Sequence, residues 1–152
     1  MVREDADLLA HIAQGSYTEA LRRMEQNSER QHFFDLFVQL MRHSYARRIK
    51  EMHQWALAVA ELGRERQKRM LDYFQGLVRE NFIYNFNQPE INYLGREEED
   101  FSKRFAPFIN ERNVIGIMDE LSDASRDISQ NTNARMVFFD LALKMIVLLK
   151  KN

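Results

Sequence analysis

Residues 134–149, ARMVFFDLALKMIVLL, constrain the chain more than any other stretch. Only Arg135, Asp140 and Lys144 are polar, and Asp140 and Lys144 stand at i,i+4. A surface helix needs one apolar stripe, whereas this segment is apolar nearly all round. It must therefore be covered on several sides. It is too short and too charged to cross a bilayer, which takes about 20 apolar residues. Two arrangements remain. The segment is the central helix of a bundle, or it is half covered by its own domain and completed by another subunit.

The rest of the chain supports an all-helical reading. Two prolines and five glycines in 152 residues leave few breaks, and strand-like alternation is scarce. Asp5 or Asp7 caps a short helix to about Gln14, ended by Gly15. Ser16-Tyr17-Thr18-Glu19 is a capping box that opens a second short helix, to about Gln26. Ser28-Glu29-Arg30-Gln31 repeats the pattern and opens a long helix with Phe33, Leu36, Phe37, Leu40 and Met41 on one face. A break is expected near Ala46–Arg48.

Ile49, Met52, Ala56, Val59 and Ala60 mark the next helix, with Trp55 beside the stripe and Gly63 closing it. Residues 64–84 form another, carrying Met70, Phe74, Leu77 and Val78. Residues 85–96, with Asn, Pro and Gly and no helical period, form a loop. Glu97–Ile109 carries Phe101, Phe105 and Phe108, and Pro107 ends or kinks it. Val114, Ile117, Leu121, Ala124 and Ile128 give a regular seam before the turn Asn131-Thr132-Asn133. The expected architecture is an all-α bundle of five or six main helices preceded by a short helical hairpin. The hairpin takes residues 1–27 and the bundle 28–152.

Chemistry is hard to find. There is no cysteine, which excludes thiolate catalysis and Cys-ligated zinc. Phosphate-loop, nucleophile-elbow and H-E-x-x-H motifs are absent. Glu29-x-x-His32 has the spacing of half a di-iron site, but a second pair is missing and His32 lies off the apolar stripe. No catalytic residue, cofactor or metal site is expected. Lys plus Arg is 22 against 23 acids, so no global charge draws the chain to nucleic acid or anionic membrane. Two basic clusters, Arg42/Arg47/Arg48/Lys50 and Arg64/Arg66/Lys68/Arg69, are diluted by Glu51, Glu61 and Glu65. Within them Arg47, Arg48, Arg64 and Lys68 are candidate weak phosphate contacts. With no apolar leader at the N-terminus, a cytoplasmic protein is expected.

Scattered residues in sequence order carry a resemblance. They are Ile12-Ala13-Gln14-Gly15-Ser16 with Ala20-Leu21, then Phe37, Met41-Arg42 and Tyr45, then Leu62-Gly63-Arg64-Glu65-Arg66-Gln67-Lys68. Leu71, Tyr73, Arg79-Glu80, Asp127-Ile128, Asn131, Asn133 and Phe138-Phe139-Asp140-Leu141 complete the set. Taken together, the chain resembles the C-terminal part of the delta-prime subunit family of bacterial DNA polymerase III, Bacteroidetes type. The resemblance implies the end of a lid domain over 1–27 and a helical collar domain over 28–152. It implies a structural role in the pentameric loader that places the sliding clamp on DNA during replication. The partners would be gamma/tau and delta, with DNA contact secondary and no membrane or small-molecule substrate.

The family's nucleotide loop and cysteine zinc site are absent, so the chain is expected to be a C-terminal piece and no enzyme by itself. On this reading the apolar circumference of the last helix includes a subunit interface. Its candidates are Met136, Phe138, Phe139, Leu143, Ile146 and Val147. The alternative is a helical nucleic-acid-binding module using the clusters at 42–50 and 64–69.

Overall fold

The computed structural model describes residues 17–84 and 96–150, and among them every regular element is helical. Helix α1 is Tyr17–Tyr45, α2 Ile49–Ala60, α3 Arg64–Tyr84 and α4 Arg96–Phe105. A 3₁₀ turn follows at Ala106–Phe108, then α5, Val114–Ser129, and α6, Ala134–Leu149. The protein is an all-α helical bundle. No helix among the described residues is long and apolar enough to cross a membrane. The expected helix before Gly15, the Ser16 cap and residues 85–95 of the expected loop lie outside the described residues, while Arg96, also expected in the loop, opens α4.

By contact density the chain divides into two compact units, residues 1–33 and 34–152. The first contains the opening turns of α1, where Arg23 pairs with Glu19 at 2.9 Å. A second short helix ending at Gln26, with a new start at Ser28, does not occur: α1 runs unbroken through both. The reason is energetic. Residues 19–32 hold no Gly or Pro, and a mid-helix Asn or Ser costs under about 0.7 kcal/mol relative to Ala. A break would strand four carbonyls and four N–H groups.

In the second unit, Phe37 is completely buried and sits at an aromatic centre. Its ring meets Phe74 of α3 at 5.2 Å, and Phe105 and Phe101 of α4 at 5.7 and 6.1 Å. The C-terminal part of α1 is therefore the helix on which α3 and α4 converge. Helix α2 contributes Met52, Trp55, Ala56 and Val59. Trp55 does not merely flank that stripe. It is buried, and its indole N–H donates to the Leu36 carbonyl at 2.9 Å. Ile49, expected in the stripe, is exposed in the first turn of α2. Helix α3 packs on α5, and α6 packs on both α2 and α5.

The turns follow from local chemistry. At the end of α1, Arg48 N–H donates to His43 and Arg47 N–H to Ser44, with Arg47 at φ 57°. This is a Schellman closure in which an arginine holds the left-handed position usually given to glycine. The same closure ends α5, where Thr132 N–H donates to Asp127 and Asn131 to Ile128, with Asn131 at φ 63°. Asparagine tolerates that conformation better than arginine. Pro107 acts as expected: α4 stops at Phe105 and the chain tightens into the 3₁₀ turn.

Candidate functional site

Helix α6 begins with Asn133, whose side chain accepts the Met136 N–H at 3.3 Å. One of its faces belongs to the core, through Val137, Phe138, Leu141, Ala142, Met145 and Leu149. Phe138 is completely buried and lies edge-on to Trp55, with ring centres 6.0 Å apart. The Ser44 hydroxyl donates to the Ala142 carbonyl at 3.3 Å, tying α6 to α1. Phe138 therefore drops out of the candidate interface. Its neighbour Trp55 already takes the surface it would offer.

The opposite face is apolar as well. Met136 and Val147 are each 69% exposed and Leu143 is 37% exposed, while Phe139 and Ile146 are half-buried. At 100° per residue these five occupy an arc of roughly 100°, and Met136 to Val147 spans about 16 Å along the axis. On the α2 side, the stripe is bounded by the Phe139 ring, which stands edge-on to exposed His53 at 5.4 Å. On the α5 side, it is bounded by charge. Lys144 Nζ lies 2.9 Å from Asp140 and 3.2 Å from Glu120. The hydrogen bonds that the Lys144 ammonium donates to Asp140 and then to Glu120 hold it above its ordinary pKa. So α6 is neither enclosed on all sides nor a plain surface helix.

Buried Asn113 fastens the C-terminal end of α6, and sequence reasoning did not single it out. Its amide donates to the carbonyls of Phe108 at 2.7 Å and Leu148 at 3.1 Å, and its oxygen accepts from Asn110 N–H at 2.9 Å. The only trace of this in the sequence is a polar residue directly ahead of an apolar seam.

The basic candidates are not brought together. Arg47 and Arg48 precede α2, whereas Arg64 opens α3 and half-buried Lys68 follows one turn later. The 12 residues of α2 separate the two clusters, a length of about 18 Å. Arg48 instead faces a cavity with Arg42 and Arg104. Among the described residues, no three His, Asp or Glu side chains form a group able to hold a metal ion. His32 is exposed, as its position off the stripe implies.

No family model, curated protein or solved structure matches this chain.

Proposed function

We propose that this protein is an assembly domain whose α6 outer face seats another protein subunit. The observation that carries the reading is the double-sided character of α6. Its inner face already completes the core, yet Met136, Phe139, Leu143, Ile146 and Val147 continue the apolar surface outward. Contiguous exposed apolar surface marks interaction sites, and an obligate interface resembles a core cut in half.

The resemblance to the delta-prime family supplies the identity of the neighbours. On that reading the bundle is a clamp-loader collar domain, acting in the cytoplasm in DNA replication. It contacts gamma/tau and delta, and contributes no catalysis itself.

The test is association of the full 152-residue chain with gamma/tau collar fragments, measured by pull-down and sedimentation. Binding at micromolar concentration is expected. Val147→Asp and Met136→Asp should abolish it while leaving the far-UV circular dichroism unchanged. No association with the wild-type chain at that concentration overturns the clamp-loader assignment.

A further inference from the structure

A cavity of about 310 Å³ opens between α1 and α4, at the small end of ligand-binding pockets. Its inner wall is apolar, from Met41, Phe105 and Leu149, all buried. Tyr45, Phe101 and Phe108 form its sides. Tyr45 and Phe108 meet edge-on at 4.9 Å, and Phe101 and Phe105 stack at 4.9 Å. Three guanidinium groups, from Arg42, Arg48 and Arg104, line the same cavity. No carboxylate among the described residues pairs with any of them, and the Lys150 ammonium sits 5.3 Å over the Tyr45 ring.

Arg42, Phe101 and Arg104 also border an adjoining cleft that contains Asp35 and Asp100. Among the described residues, no acid lines the first cavity itself.

We propose that this pocket binds a small organic anion with a flat aromatic body and a terminal carboxylate. Three arginines on one aromatic cavity, with the Lys150 ammonium over its Tyr45 wall, offer an anion several charged hydrogen-bond donors at once. A guanidinium fork matches a planar carboxylate in two parallel hydrogen bonds. Ring walls favour a ring, through edge-to-face and offset contacts. The volume of about 310 Å³ admits a bicyclic acid. The inference does not depend on the assembly reading, because the pocket is formed by α1, the turn before α2, α4 and the 3₁₀ turn, and the end of α6 brings only Leu149 and Lys150, not its outer arc.

The probe is 2-naphthoate, titrated into the full chain and followed by amide chemical shifts in NMR. Saturable shifts at residues 41–48 and 101–108 are expected, with Kd about 0.1–1 mM. The neutral analogue 2-naphthamide should bind about tenfold more weakly, since it lacks the charge-assisted hydrogen bonds. Arg42 and Arg104 are exposed, so the double variant Arg42→Gln/Arg104→Gln should keep its melting curve and lose affinity about tenfold. Arg48→Gln, read the same way, covers the case in which the double variant misfolds. Absence of saturation at millimolar naphthoate overturns the proposal. So does equal affinity for naphthamide, or unchanged affinity in the folded arginine variants.

Discussion

Helices α5 and α6 are neighbours of equal length, 16 residues each, and they bury their inner faces in the same core. Their outer faces differ. Apart from Ile115 in its first turn, α5 turns polar residues to solvent, Asp119, Ser122, Asp123 and Arg126, whereas α6 turns out Met136, Leu143 and Val147. The packing of one helix on a core therefore needs no apolar outer face. What α6 carries beyond α5 is the basis of the proposed assembly role.

The largest expected effect breaks α6 on its inner side. Phe138→Ala should cost about 3–5 kcal/mol in urea unfolding, because it opens a cavity beside Trp55. Val147→Asp, on the outer arc of the same helix, should stay within about 0.5 kcal/mol of wild type. Comparable losses at both positions would erase the distinction between the faces.

Next is the junction of the two helices. Asn113→Ala removes the donors to Phe108 and Leu148 and the acceptor for Asn110. It should cost about 1–3 kcal/mol by leaving buried polar groups unpaired. Thermal unfolding of the variant measures this directly.

Glycine replacements give a smaller, signed test. Gly76→Ala meets nothing within 4 Å, and should stabilise α3 by about 0.5–1 kcal/mol. At Gly116 a Cβ would stand 2.8 Å from Leu148 Cδ2. Gly116→Ala should therefore gain less than Gly76→Ala or lose stability. An equal gain at both sites would mean that the Leu148 side chain yields to the added methyl without cost.

The smallest effect is at the charged edge between α5 and α6. Lys144 has a raised pKa in the folded state, so its contribution is fully present below the unfolded lysine value. It disappears as pH rises through the folded value. Because Lys144 and Asp140 are about half exposed, the contribution should be only about 0.5 kcal/mol. Lys144→Met should show a matching loss at neutral pH, which begins to shrink at about pH 10.4, the ordinary lysine pKa, and vanishes only above the higher folded value.

Periodicity made much of the bundle legible. Ile117, Leu121, Ala124 and Ile128 of the seam are buried as its spacing required, with Val114 half-buried at the helix start, and the break at Ala46–Arg48 and the stop at Pro107 occur where local backbone chemistry placed them. The continuity of α1 was missed because Ser28 and Gln31 mimic a capping box, although nothing nearby forces the preceding helix to end. Trp55 was put at the edge because period alone ignores the Leu36 carbonyl that its N–H reaches. Arg42, Arg48 and Arg104 gave no common signal, since Arg104 is far from the other two in sequence and only packing of α4 on α1 unites them.

The residue pattern by itself determined that the chain would be helical and that residues 134–149 carry more apolar circumference than one core contact uses. Tertiary structure decided which arc of that helix is spent inward, placing Phe138 against Trp55 and leaving Met136 and Val147 outside. A nearly uniform apolar helix has no preferred rotation about its own axis. That rotation is set by the grooves of α2 and α5, which only the folded neighbours create.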